Sequence, residues 1–512
     1  MQKVIIDGES LTFKNIIDVA RNDAKVKISE KAITKVMQAR AVLEKLARKQ
    51  KPIYGVTTGF GALGNVSIPP EDISQLQLNL IRSHSSGVGN PLTREVTRAL
   101  MLLRANTLAK GFSGVRLQIL ETLVQMLNKG IHPVIPEKGS VGASGDLAPL
   151  SHMVLVMLGE GKAEYKGAVM SGKDAIEKAS IKPVQLDLKE GLALNNGTQM
   201  MTAIAALSIH DAETLVQTAE VAAALSIEAL RGIIDAFDPR IHNIRPHKGQ
   251  IESARNLRDL LSGSVLAKTS DESVMENKYP QDPYSLRCIP QVIGCVRDAI
   301  EYVKRIIQVE INSATDNPLV FPEDEQCLSG GNFHGQPISI AMDHLSVALT
   351  IMGNFSERRI ARIMDENLSR GLPPFLIPNE SKQGLQSGFM TLQITAAALA
   401  SENKSTAHPA SVDSIPTSAN FEDFVSMGPV AARKALQILR NTQIIVAIEL
   451  LCAAQGIEFR GTNKLGKQTR VAYFLIREKV APLKEDRVLL DDIESIVELI
   501  HRESFSMLQR AS

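Results

Sequence analysis

Ala32, Ile33, Val36, Ala39, Leu43, Leu46 and Ala47 recur on one face at the 3.6-residue period of a helix, Ser29 stands at the N-cap position, and Lys51-Pro52 ends the pattern. From there to about residue 150 glycine and proline become frequent, and only 76–82 and 94–109 read clearly as helices. Beyond residue 197 long helices dominate: the Ala-rich 201–230, then a stripe of Val292, Val296, Ala299, Ile300, Val303, Ile306 and Ile307, then 338–364, 383–401 and 429–454. Strands are expected only at 4–6 and near 163–169. The expected fold is mainly α: an irregular N-terminal region over 1–200, and a long-helix bundle with a C-terminal helical region over 201–512.

Composition supports helices. The chain has 512 residues, no Trp, 6 Tyr and 14 Phe, so its core is filled by Leu, Ile, Val, Ala and Met. Lys+Arg 57 against Asp+Glu 56 gives a net charge of +1 without a basic run, which argues against a nucleic-acid partner. Charge appears too early for a signal peptide, and no long window lacks polar residues, so a cytoplasmic protein without membrane contact is expected. Cys288, Cys295, Cys327 and Cys452 have no CxxC spacing and read as thiols; no Cys/His pattern of zinc spacing points to a metal.

Three polar, glycine-containing segments interrupt the helical pattern, and buried polar groups need partners. The first runs from Tyr54 through Gly64 and contains GxGxxG at Gly59, Gly61 and Gly64, but Asn65 to Pro70 cannot continue as the helix that a dinucleotide site needs. A mobile lid carrying Tyr54 is the functional alternative. In the second, 139–150, Gly145-Asp146 stands where a phosphate loop would need Gly-Lys, and a carboxylate there would repel phosphate. What Ala143-Ser144-Gly145 offers is minimal bulk, so that the Gly145 nitrogen can approach the Ala143 carbonyl. The third is 194–199.

The run Gly142-Ala143-Ser144-Gly145-Asp146-Leu147-Ala148-Pro149-Leu150 resembles the signature of the aromatic amino acid ammonia-lyases. Five more segments occur in that family's order: Tyr54 with Thr57-Thr58-Gly59-Phe60-Gly61, then 194–199, 281–288, 312–318 and 330–335. The resemblance implies a 4-methylidene-imidazole-5-one (MIO) ring formed by cyclisation and dehydration of Ala143, Ser144 and Gly145, with no external cofactor. It also implies a homotetramer with shared active sites and a small-molecule amino acid substrate.

Within the family, Ser83-His84, Met390 and Glu422 resemble the choices of the members that act on histidine, so the implied reaction takes L-histidine to trans-urocanate and ammonia, the first step of histidine degradation. A substrate imidazole needs a polar partner, which His84 or Glu422 supplies. The MIO methylidene derived from Ser144 is the implied electron sink, attacked by either the substrate amine or its ring. Tyr54 is the first candidate for the base and Tyr284 the second; an unperturbed phenol near pKa ~10 needs electrostatic help to serve. Arg287 is expected to grip the carboxylate, Asn196 and Gln281 to donate hydrogen bonds, and Phe333 to wall the ring. Phe421, Phe424 and Asn195 depart from the histidine pattern, which keeps a tyrosine or phenylalanine lyase or aminomutase open; an inactive helical scaffold is the remote alternative.

Overall fold

The computed structural model describes residues 3–49, 51–277, 280–378, 382–506 and 508. It divides into two compact units, one of residues 1–207, 304–343 and 409–433, the other of 208–303, 344–408 and 434–512. Four of the five unit boundaries fall inside long helices, one each in Gln199–Ala229, Ile289–Glu310, Gln336–Met364 and Gly428–Glu458, and the fifth, at 408/409, follows the helix Met390–Thr406.

The first helical period is realised as Glu30–Arg48, with the Ser29 hydroxyl accepting from the Ala32 amide. Ala39 and Leu43 of that helix pack with Val56, Ile73, Leu188 and Val320, and Val56 thereby fixes the loop that carries Tyr54. Arg94–Ala109 is buried on nearly every face, so its polar side chains must find partners inside the protein. Asn106 donates to the Ile311 carbonyl, Thr107 to that of Ser313, and Arg98 to those of Val19 and Leu127.

Helix ends moved where the apolar pattern was sparse. The expected 76–82 extends to Ile73–His84, and 383–401 becomes Met390–Thr406. Leu147–Met157, inside the glycine-rich second segment, is a helix that the motif concealed. The strand expectation was too narrow. Val4–Ile6 pairs in parallel with Val26–Ile28, and the region near 163–169 is a hairpin of Lys162–Tyr165 and Ala168–Ser171 that also pairs with Ile131–Pro133. Val88–Pro91 with Pro136–Lys138 and Leu319–Phe321 with Gln326–Leu328 complete the pairs among the described residues. Strands of three or four residues, some with terminal prolines, are too short to show a period of two.

In the second unit the fully buried Arg359 pairs with Glu449 at 2.5 Å, and Ser226 and Ser356 donate to the same carboxylate. Gln336–Met364 and Gly428–Glu458 are long and apolar enough to cross a membrane by length and composition, yet 67% and 78% of their apolar windows are buried inside the protein. All four cysteines are free.

Candidate functional site

The Ala143-Ser144-Gly145 loop is held by residues from two distant stretches, 196–197 and 426–427. Asn196 Nδ2 donates to the Ser144 carbonyl at 2.8 Å, and the Asp146 amide donates to the Gly197 carbonyl at 2.6 Å. From the other side the Met427 amide reaches the Val141 carbonyl at 2.9 Å, and the Ser426 hydroxyl reaches that of Gly142 at 3.1 Å. Gly145 has φ +76°, and a Cβ there would collide with the Gly197 carbonyl, so glycine is required by conformation and by space. Asp146 closes the loop as the anchor of Gln199–Ala229: its Oδ2 accepts from the Met200 and Met201 amides at 2.8 and 3.0 Å. Complete burial raises the Asp146 pKa to about 7; the two amides and Arg104 oppose the shift, while Glu310 adds to it.

Ser144 opens onto a cavity of about 610 Å³ whose lining comes from the first unit alone. Tyr54, His84, Ala143, Asn196, Phe333 and Glu422 share that lining, so seven of the expected site residues, counting Ser144, meet at one place. Ser144 Oγ donates to Glu422 Oε1 at 2.8 Å, and Thr417 and Ser418 donate to Oε2 at 2.6 and 3.0 Å. Tyr54 Oη accepts from the Gly61 amide at 2.8 Å. The loop therefore folds around the phenol, with Gly61 opening the 3₁₀ turn Gly61–Leu63, and no dinucleotide-type helix follows. Burial pushes the Tyr54 pKa up; Glu422 adds to the rise and the Gly61 amide opposes it. His84 Nδ1 lies 2.9 Å from the Leu80 carbonyl, which makes Nδ1 the protonated nitrogen and leaves Nε2 as an acceptor. Burial lowers the His84 pKa, against the Leu80 carbonyl and Glu422, so the neutral ring is favoured.

The remaining expected residues, Gly145 of the loop apart, belong to the second unit. Tyr284 and Arg287 begin and end the short helix Tyr284–Arg287, with the guanidinium 4.6 Å from the phenol centroid and its Nε donating to the Asp282 carbonyl at 2.8 Å. Tyr284 is 69% exposed beside a cavity of about 780 Å³ that Arg358 and Arg362 also line. Gln281 and Arg287 border a cavity of about 290 Å³ with Cys288, and half-buried Met390 opens the helix Met390–Thr406.

The 330–335 segment also brings in His334. It lines the Ser144 cavity, stacked on Phe424 with ring centroids 6.0 Å apart and planes 11° apart. Its place next to Phe333 was the available signal. Phe421 and Phe424 do border the cavity, at 59% and 60% exposure, whereas Asn195 is buried and donates to Ser151 Oγ at 3.1 Å. Arg104 carried no motif-level signal at all, because its partners lie far along the chain, and Asp146, though part of the signature run, had nothing to mark it as the anchor of Gln199–Ala229.

Residues 11–478 match the family described as aromatic amino acid lyase. A histidine ammonia-lyase of Alkaliphilus oremlandii is 56% identical over 500 residues, covering 98% of this chain and 97% of that protein. Among solved structures, histidine ammonia-lyase from Trypanosoma cruzi superposes with a TM-score of 0.91 at 42% identity, covering 99% of this chain and 95% of that one. Tyrosine aminomutase from Streptomyces globisporus superposes with a TM-score of 0.95 at 41% identity, covering 99% and 98%.

Proposed function

The chain belongs to the aromatic amino acid lyase family, and from that membership we propose that it eliminates ammonia from L-histidine to give trans-urocanate, using an MIO ring made from Ala143, Ser144 and Gly145. The observation that carries the reading is the meeting of Ser144 with Tyr54, His84 and Glu422 on one cavity. The residues present fit the ring: Gly145 tolerates no side chain, and the Ser144 carbonyl, which becomes the ring carbonyl, already holds a donor from Asn196. When formed, that ring supplies an electrophile that takes up electron density as the amino group departs.

The protein's own groups divide the remaining work. The free Nε2 of His84 accepts from a substrate imidazole N–H, and Glu422 contacts the imidazole or the leaving ammonia. Phe333 walls the ring. Tyr54 is the first base and Tyr284 the competing one; since the surroundings of Tyr54 raise its pKa, its use as a base requires a neighbouring cation. Arg287 grips the substrate carboxylate, Gln281 donates a hydrogen bond, and Met390 borders the substrate. A cytoplasmic homotetramer with shared sites is part of the same proposal, and the exposure of Tyr284, Phe421 and Phe424 supports a site completed by association.

A second reading, an aryl substrate such as tyrosine or phenylalanine, is favoured by Phe421 and Phe424 on the cavity. Purified protein given L-histidine is expected to develop the absorbance of a conjugated imidazole acrylate. Turnover of tyrosine or phenylalanine with none of histidine replaces the first reading by the second. The intact mass is expected two waters below the sequence mass, with the deficit absent in Ser144→Ala.

A further inference from the structure

Arg104, on the helix Arg94–Ala109, is fully buried, and the groups it touches are neutral. Nη1 donates to Gln199 Oε1 at 2.7 Å; Nη2 donates to the Asn196 carbonyl at 2.7 Å and to the Ala193 carbonyl. Asp316 and Asp146 act on it only through space. Burial lowers its pKa to about 10, so it remains a cation at neutral pH. A buried cation is costly without compensation. Here the compensation comes from main-chain carbonyls at the C-terminal end of Glu190–Asn195, where the helix dipole is negative.

What hangs on those carbonyls gives the cation its use. The 193–199 turn that Arg104 grips carries Asn196, whose amide meets the Ser144 carbonyl, and Gly197, whose carbonyl receives the Asp146 amide. A Cβ on Gly197 would collide with Nη1 of Arg104 and with the Gln199 side chain, so the guanidinium packs directly against this backbone. Gln199 in turn donates to Thr107 and Thr315 at 3.1 and 2.8 Å. One planar fork thus fixes both supports of the Ser144-Gly145-Asp146 backbone, a task that a lysine point charge cannot reproduce.

We propose that Arg104 is a positioning residue for the ring: by clamping the 193–199 turn it places the Asn196 donor on the Ser144 carbonyl and the Gly197 carbonyl beneath Gly145-Asp146, the geometry in which Ala143-Ser144-Gly145 closes. This rests on the ring reading above. In closure the Gly145 nitrogen bonds to the Ala143 carbonyl carbon. The Ala143 oxygen leaves as water with the amide protons of Gly145 and Ser144, and the Ser144 hydroxyl leaves as a second water with the Cα hydrogen.

Intact mass of the full-length protein, followed over time after purification, tests the assignment together with kinetics per ring-bearing site. Wild type is expected to be two waters light. Arg104→Lys, folded by circular dichroism and of wild-type assembly size, is expected to hold a lasting fraction of unmodified chains. Its ring-bearing sites are expected to lose about 10²-fold in kcat with little change in KM, the scale of a misplaced group. Because Arg104 acts through Asn196, Arg104→Lys combined with Asn196→Ala is expected to lose hardly more than Asn196→Ala alone. Full ring content in Arg104→Lys, or additive losses in the double variant, overturns the assignment. If Arg104→Lys does not fold, Gln199→Leu, which releases Nη1 and leaves the guanidinium in place, is expected to show partial ring content, and full content there overturns it equally. An unmodified wild-type mass refutes the ring reading and this proposal with it, whereas a ring in wild type and variants alike refutes the role of Arg104 alone.

Discussion

The amide of Asn196 donates to the carbonyl of Ser144 at 2.8 Å, on the same residue whose hydroxyl donates to Glu422. Charge that develops on that carbonyl oxygen meets a donor already in place. Asn196→Ala is expected to lower kcat about 10²–10³-fold per ring-bearing site while KM changes little, as for loss of one preorganised donor. Steady-state kinetics normalised to ring content by mass checks this, and an unchanged kcat counts against the donor role.

Glu422 accepts from three hydroxyls, those of Ser144, Thr417 and Ser418. Glu422→Gln leaves one acceptor oxygen and turns an amide NH₂ toward groups that donate. If the carboxylate contacts the imidazole or the leaving ammonia, kcat is expected to fall on the order of 10²-fold with the melting temperature held. A parallel fall in melting temperature would instead mark Glu422 as a brace for the 417–422 segment.

How far the chain could be read in advance depended on the distance between partners. Ser29 and the helix after it were legible because cap and apolar stripe lie within twenty residues. The cavity residues Tyr54, His84, Asn196, Phe333 and Glu422 were legible only through their motifs, since nothing in their local patterns says that they converge. Leu147–Met157 was hidden because its glycine-rich preface reads as loop, and Val26–Ile28 because its pairing partner lies in a strand of equally short length. Arg104 had no local mark, as its acceptors on Ala193 and Asn196 are 89 and 92 residues away.

His132 gives the fold a pH limit on the acid side. Its Nε2 faces Arg98 Nη1 at 3.1 Å, so the neutral ring accepts there. Burial, then Arg98 and Arg94, push its pKa down to about 4, with Glu164 at 3.7 Å and Asp23 opposing. A folded pKa below the unfolded value means that the unfolded chain takes up the proton first. Stability from this site is therefore present above about pH 6.5 and is lost as pH falls toward 4. Urea midpoints at pH 7.5, 6 and 5 are expected to decline more steeply in wild type than in His132→Gln; equal slopes would remove His132 from the account.

The His334–Phe424 stack makes one wall of the Ser144 cavity aromatic. Phe424→Ala shortens that wall and is expected to shift the ratio of kcat/KM for histidine over phenylalanine by roughly tenfold in favour of histidine, the scale of apolar pocket discrimination. Competition between the two substrates measures the ratio directly. A ratio that does not move places Phe424 outside substrate selection.

The cradle around Gly142 to Asp146 also sets a schedule. Its supports come from Asn196 and Gly197 and, 284 residues after Gly142, from Ser426. A ribosome that has made only the N-terminal half has produced the loop without half of what holds it. Until Ser426 and Met427 have emerged and docked, the Val141 and Gly142 carbonyls lack the donors they hold in the finished chain. A fragment cut between Gly197 and Ser426 therefore carries the motif with only half of its cradle.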